Sequence, residues 1–461
     1  MAEIFTRKFS EVSGGRFDPE FYIGQTIQIV TYPLKNFVKI KSGKRIPKGR
    51  SYANTTTAYK YLRVDDLDSE ILEIDIDKLK SIDKDIFTLL ERYEIYNDEV
   101  ALSIAGTIGK VFIFHNTTSN RVILTENCVK LQAQDNLLPK FLSLILKTDF
   151  LQSQMKRQYI QTTIPKLAIE RIKELQIPSI PPLSTQQHII DLMDKAYKAK
   201  QEKENKAKEL LDSIDSYLLE ELGIILPLRA NNTLDSRIYT QKISALSGSR
   251  FDANYHQPYY KKFEQALESG KYKTLRLVDI CQFRRGSFPQ PYGNQEWYGG
   301  ANAMPFVQVA DIDDNFKLKE KTNQQISQLA QPKSVFVSQN TIILSIQGTI
   351  GRVAITQYDC YVDRTIAIFT ELSNLLNQHF LAYMLSILFK NKADTARGIT
   401  LKTITKEEFR NFKIPLPPLT EQERIAKEIS QRKAQAKALK QEAKESLESA
   451  KKEVEHIILG G

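Results

Sequence analysis

Two stretches of the chain give up proline and set apolar residues at heptad spacing among charged ones. From 184 to 222, Ile189, Met193, Ala196, Ala207, Leu210, Ile214 and Tyr217 recur in a four-three rhythm, with Lys200 and Lys203 filling the same series. From 420 onward Ile425, Ile429, Ala436, Leu439, Ala443 and Ala450 repeat that phase 236 residues later. Richness in Lys, Glu, Ala and Leu predicts one long helix in each stretch, with Ser184 as the cap of the first. A helix of about 39 residues spans roughly 58 Å, and so thin an apolar stripe could not be hidden against a single globule. The two helices are therefore expected to pair with each other as an antiparallel coiled coil. Recruitment of a partner chain by each helix, or pairing between copies of the chain, is the alternative.

Elsewhere the pattern changes to short apolar runs. Val100 to Ile104 and Val111 to Phe114 flank Gly106-Thr107-Ile108-Gly109 and predict a hairpin turned by its glycines; Ile342 to Ile346 and Val353 to Ile355 repeat it. Helical spacing returns at 137–157 and 375–392, each read as a core-facing helix.

These elements recur because the chain is a tandem repeat. Gly14-Gly15-Arg16-Phe17-Asp18 returns as Gly248-Ser249-Arg250-Phe251-Asp252, and Leu102–Gly109 returns as Leu344–Gly351. Ile180-Pro181-Pro182-Leu183-Ser184-Thr185-Gln186 returns as Leu416-Pro417-Pro418-Leu419-Thr420-Glu421-Gln422. The expected fold is α+β: two globular mixed α/β domains at 1–183 and 224–419, related by a pseudo-twofold, with long helices at 184–223 and 420–461 holding them apart. Between the shared landmarks the halves diverge, as at 41–60 against the stretch from 284. Two readers of different targets would look this way, and so would neutral drift after duplication.

The net charge is +10, a surplus suited to a polyanionic partner. It lies outside the long helices, since 184–222 carries six Lys/Arg against nine Asp/Glu and 420–458 carries nine against eight. No run of roughly 18 apolar residues predicts a membrane span, and the first residues have no apolar core for a secretory signal, so a cytoplasmic location is expected. Cys128, Cys281 and Cys360 are scattered and read as core residues, and the five histidines show no metal spacing. No GxxxxGK[ST] phosphate loop is present, nor a Gly-rich turn after a strand for a cofactor, so no catalytic site and no cofactor is assigned to the chain. The acid pairs Asp65-Asp66 and Asp313-Asp314 are read as turn residues rather than a metal site.

The PPL-[ST]-x-Q element opening a long helix after each of two divergent domains resembles the specificity subunits of type I restriction-modification systems. Ile414–Gln422 with Ile425 carries the resemblance best, together with Ile177–Gln186 and the two Gly-Thr-Ile-Gly turns. The first copy departs from the pattern, with Thr185-Gln186-Gln187-His188 where the second has Glu421-Gln422-Glu423-Arg424. The resemblance implies a non-catalytic subunit whose two domains each read one half of a split sequence in double-stranded DNA. It further implies docking of two methyltransferase (modification) subunits bearing S-adenosylmethionine, and of nuclease/translocase (restriction) subunits using ATP and Mg. A helical scaffold with non-specific basic domains is the rival reading.

Two regions in each half are candidate DNA contacts. One is the basic loop after a leading strand: Lys41, Lys44, Arg45, Lys48 and Arg50 in the first half, Gln282, Arg284 and Arg285 in the second. The other precedes the PPL element: Thr162, Thr163 and Lys166, then Arg397, Thr400 and Lys402, which the resemblance supports. Asn54, Gln282, Asn294 and Gln295 are candidate base readers, because amides make bidentate contacts to adenine.

Overall fold

A computed structural model of the chain describes residues 29–67, 75–158, 166–229, 233–234, 238–246, 251, 253, 255–396 and 402–460. Outside them lie Thr162, Thr163, Arg397, Thr400, the Gly14–Asp18 motif and, except for Phe251, its second copy. The chain divides into two compact units, residues 1–203 with 441–461 and residues 204–440. Among the described residues no helix is long and apolar enough to cross a membrane.

In the first unit, β1 (Thr31–Pro33) and β2 (Val38–Ser42) lead to β3 (Tyr59–Leu62), β4 (Lys80–Ser81) and α1 (Lys84–Leu90). β5 (Val100–Ser103), β6 (Val111–Ile113), β7 (Arg121–Leu124) and β8 (Cys128–Ala133) follow. The main sheet is antiparallel in the order β2-β8-β5-β6, beside a smaller one in the order β4-β3-β7 in which β3 and β7 are parallel. All four residues of β5 are buried, since both of its faces are covered. The run at 137–157 is two helices, α2 (Pro139–Lys147) and α3 (Asp149–Gln158), rather than one. Thr148 is extended (ψ 149) and its hydroxyl donates to the Ile145 carbonyl, ending one helix and accepting from Leu151 N at the start of the next. After α4 (Ile169–Lys173), β9 (Gln176–Pro178) pairs with β1 and so clasps the beginning of the domain to its end.

The long helix α5 (Leu183–Glu221) starts at once. Ser184 is not its cap: the helix opens at Leu183, and the Pro182 carbonyl accepts from the N–H groups of Thr185 and Gln186.

The second unit repeats the plan. It runs α6 (Pro258–Glu268), β10 (Thr274–Arg276), α7 (Leu277–Ile280), β11 (Gln282–Arg285), β12 (Met304–Val307), β13 (Gln324–Ile326) and β14 (Val335–Val337). β15 (Ile342–Ser345), β16 (Val353–Ile355), β17 (Cys360–Val362), β18 (Ile366–Thr370), α8 (Gln378–Lys392), α9 (Lys406–Arg410), β19 (Lys413–Pro415) and α10 (Leu419–Ile458) complete it. Sheet order β11-β18-β15-β16 matches the first unit strand for strand, β13-β12-β17-β14 gains a strand, and β10-β19 is the equivalent clasp.

Within each unit one half of α5 lies antiparallel to one half of α10. In the first, Ile189, Met193 and Tyr197 share a core with Leu447, Ala450, Val454 and Ile458, and Lys203 pairs with Glu442 at 3.2 Å. In the second, Ile214, Leu218 and Leu222 share one with Ile425, Ala426 and Ile429, while Arg432 donates to Ser213 Oγ at 3.0 Å and lies over the Tyr217 ring. Of the seam positions read from the sequence, Ala207, Ala436 and Ala443 are buried, and Ala196, Leu210 and Leu439 are half-buried. Leu218, Leu222, Leu447, Val454 and Ile458 are buried heptad positions that the sequence reading passed over.

Candidate nucleic-acid interface

Each hairpin at the Gly-Thr-Ile-Gly element is locked by its own serine. Ser103 Oγ donates to the Thr107 carbonyl at 2.6 Å and accepts from Lys110 N at 2.8 Å; Ser345 does the same with Thr349 and Arg352 at the same two distances. Gly106 (φ 74), Gly109 (φ 89), Gly348 (φ 76) and Gly351 (φ 95) hold left-handed conformations that other residues rarely adopt. The cation after each turn is used internally: Lys110 Nζ donates to the Val64 and Leu67 carbonyls, and Arg352 to those of Val309 and Ile312.

The segment ahead of the PPL element packs against this hairpin in both units. Lys166 bridges Ala105 and Thr403 bridges Gln347, with Leu167 N donating to the Ile104 carbonyl at 2.8 Å and Gly348 N to the Lys402 carbonyl at 3.0 Å. Lys166 is exposed and Lys402 half-buried. Of that candidate contact region, Lys166 and Lys402 are thus carried beside the hairpin turn.

The other region begins where β2 and β11 end. Gly43 and Gly286 each lie against the turn before the partner strand; a methyl group on Gly43 would stand 2.0 Å from the Thr125 carbonyl oxygen, and one on Gly286 2.4 Å from that of Asp363. Lys41 is exposed on β2 itself, as Gln282, Arg284 and Arg285 are on β11 rather than in a loop; beyond Gly43 the loop leaves Lys44, Arg45, Lys48 and Arg50 exposed, but Arg45 pairs with Glu126 at 2.5 Å and Arg50 pairs with Asp85. Asn54 is exposed on the same loop.

In the second unit Arg284 and Arg285 line a cavity of about 310 Å³ with Phe283, Ile346 and Phe409. Arg284 donates to the Phe336 carbonyl, and Gln282 donates to Glu371 at 2.6 Å. Burial, and then the neighbouring charge of Arg364, push the Arg285 guanidinium below its ordinary range. The loop that follows has a small core of its own around Trp297, Phe306 and Ile326, with Trp297 Nε1 donating to the Pro291 carbonyl and Lys333 over the indole. Asn294 accepts from Glu296 N as a helix cap, while Gln295 is exposed.

At the acidic turns Asp66, Asp311 and Asp313 accept from backbone N–H groups, and Asp66 pairs with the Arg63 side chain as well. Asp66 accepts from Arg63 N and Asp311 from Gln308 N, each at 2.9 Å, so the counterpart of Asp66 is Asp311 and not the Asp313-Asp314 pair. Asp313 itself accepts from Asn315 N and Lys317 N. The three cysteines are buried, and burial pushes each thiol up to about 12.

The repeated glutamine of the PPL element has a role that the sequence concealed. Gln186, fully buried, accepts from Leu138 N at 2.8 Å and donates to the carbonyls of Asn136 (2.9 Å) and Pro181 (2.8 Å). Gln422 accepts from Asn377 N at 2.8 Å and donates to those of Leu375 (2.9 Å) and Pro417 (2.8 Å). Each glutamine ties the start of a long helix to the turn that opens α2 or α8. Its neighbour Glu421, absent from the first copy, pairs on the surface with Arg424.

The type I restriction modification DNA specificity domain family matches residues 27–212 and again 269–449. A putative type I restriction enzyme specificity subunit of Methanocaldococcus jannaschii, MjaX, is 22% identical over 403 residues, 84% of each chain. The EcoBI specificity subunit of Escherichia coli is 25% identical over 153 residues, 32% of each. A solved structure described under complex assembly and conformational transition of the type I R-M system covers 93% of this chain and 96% of its own, with 18% identity and a TM-score of 0.55. With both halves matched and the frame shared, the chain belongs to the type I restriction-modification DNA specificity subunits.

Proposed function

We propose that each unit reads one half of a split DNA sequence, and that the chain, without catalysis of its own, delivers separate modification and restriction subunits to that sequence. One observation carries the reading. Two units with the same sheet order, serine-locked hairpin and glutamine lock present different side chains at the two candidate contact regions. Lys166 and the 41–50 loop serve the first unit; Lys402, Arg284, Arg285 and the aromatic loop after them serve the second. A rigid frame with variable loops is how one scaffold comes to read different sequences. The modification subunits, two in number, bring S-adenosylmethionine; the restriction subunits bring ATP and Mg.

The test is the methylome of cells expressing the chain with its modification subunits. A split motif with an unread spacer of fixed length is expected, and exchanging residues 284–334 for the corresponding loops of a relative changes one half of the motif only. A continuous motif, or none, overturns the proposal.

A further inference from the structure

In the first unit Arg45 pairs with Glu126, Arg50 with Asp85, Arg63 with Asp66 and Arg121 with Glu94; in the second, Arg284 and Arg352 donate to backbone carbonyls. Arg285 and Arg364 break that pattern. Arg285 closes β11 opposite Ala367 of β18, and Arg364 stands in the turn Asp363–Ile366 that leads into β18. The two elements are fastened together, since Gly286 N donates to the Ile366 carbonyl at 2.9 Å, Ser287 N donates to that of Val362 at 3.0 Å, and no room for a Cβ remains at Gly286. Arg364 lies 4.7 Å over the Phe288 ring. The adjacent acid, Asp363, accepts from Thr365 N and Thr365 Oγ1 through Oδ1, and its charge favours the Arg285 guanidinium without pairing with it. Among the described residues neither arginine has a hydrogen bond or an ion pair, and the β11–β18 pairing brings the backbone of the two positions together. The first unit has Ser42 and the Arg45-paired Glu126 at the matching places, and builds no such charge.

We infer that Arg285 and Arg364 form a clamp for one phosphate of the DNA backbone at the half-site read by the second unit. Two guanidiniums without acidic partners, set on adjoining backbone, call for a full negative charge with several acceptor oxygens, which a phosphodiester supplies. A purine edge offers only partial charges and would leave the repulsion between the arginines largely uncompensated. Stacking on Phe288 fixes the plane of one fork, so little side-chain freedom is lost on binding. The clamp positions the unit and reads no base. Arg364 therefore joins Arg285 as a binding residue that no sequence motif marks.

This inference rests on the proposed reading of DNA, and the experiment separates the two. Fluorescence anisotropy of the full chain co-purified with its modification subunits is measured between 50 and 300 mM KCl. Two duplexes of equal length are used, one bearing the methylome motif and one random. If wild-type protein does not prefer the motif duplex, the proposed function fails. If it does, Arg285→Gln and Arg364→Gln should each weaken binding to both duplexes by the same factor, about 5- to 10-fold at 100 mM salt, and the double variant should lower the salt slope by about 1. Arg364→Lys should keep the slope while losing part of the affinity, and equal melting temperatures exclude misfolding. A changed preference between the duplexes with an unchanged slope would make the pair base readers and overturn the clamp, as would unchanged binding to both.

Discussion

On β8 of the first unit, Lys130 is buried and donates to Glu99 at 2.9 Å, beneath the Tyr96 ring. The corresponding residues of the second unit are Ile368 and Thr341, and Ile368 simply joins the apolar core. Lys60, 1% exposed on β3, holds Ser81 and the Asp77 carbonyl where the second unit has Pro305. Yet the two backbones agree down to their exceptional residues: Asp98 (φ 66) and Asn340 (φ 60) occupy the same left-handed position before the same strand. The frame is thus set by turns, clasps and locks, and the interior accepts either paired charges or hydrocarbon so long as each polar group is satisfied.

The sharpest way to break this comparison is to transplant half of one solution. Lys130→Ile strands the Glu99 carboxylate with only Tyr96 N as donor, and should cost the first unit about 3–5 kcal/mol. Adding Glu99→Thr, which copies the second unit fully, should restore most of it. Hydrogen exchange resolved by unit is the measurement, because a chain of two units does not unfold in one step. A full loss that the double variant fails to repair would show that the frames are not interchangeable.

A smaller effect tests what the units share. Gln186→Leu and Gln422→Leu each leave one N–H and two carbonyls unsatisfied, for about 2–4 kcal/mol apiece. The two losses should agree within about 1 kcal/mol, and a one-sided loss would mean that the lock serves only one unit.

The smallest effect is a slope. Lys433 is half-buried with its Nζ covered by Phe316 and Tyr383 and, among the described residues, without a hydrogen-bond acceptor, and burial pushes it down to about 8; its place in the first unit is taken by Tyr197. Burial pushes Lys147 of the first unit to about 8 as well, beside Lys451 in a cavity that Tyr197 lines. An ammonium depressed in the folded state and normal in the unfolded one makes the unfolded state the stronger proton binder above pH 8, so stability rises from there toward the ordinary lysine value of 10.5. One such group gives at most about 1.4 kcal/mol per pH unit. Lys433→Met should flatten the rise in the second unit alone, and Lys147→Met in the first alone.

Much of this was legible in the sequence where a single physical signal dominated. The long helices announced themselves by period and composition, and the hairpins by glycines that left-handed turns require. What depended on register was hidden. The 137–157 run reads as one helix until Thr148 competes for the backbone. Loop drift concealed that Asp66 corresponds to Asp311. Arg364 is an ordinary arginine in the text, and only the β11–β18 pairing sets it beside Arg285. The paired glutamines were visible as letters, but the turns they hold, at Asn136–Leu138 and Leu375–Asn377, lie far back in the chain.

The second unit is drawn from one uninterrupted stretch, 204–440, while the first needs Leu447, Ala450, Val454 and Ile458 to cover Ile189, Met193 and Tyr197. On a ribosome adding 5–20 residues per second, that covering arrives roughly 10–50 s after the domain it completes has emerged. The apolar stripe of α5 therefore stays bare through the synthesis of an entire neighbour. Birth order runs opposite to chain order: the unit encoded second can close first, and the unit encoded first finishes only when 441–460 have been made.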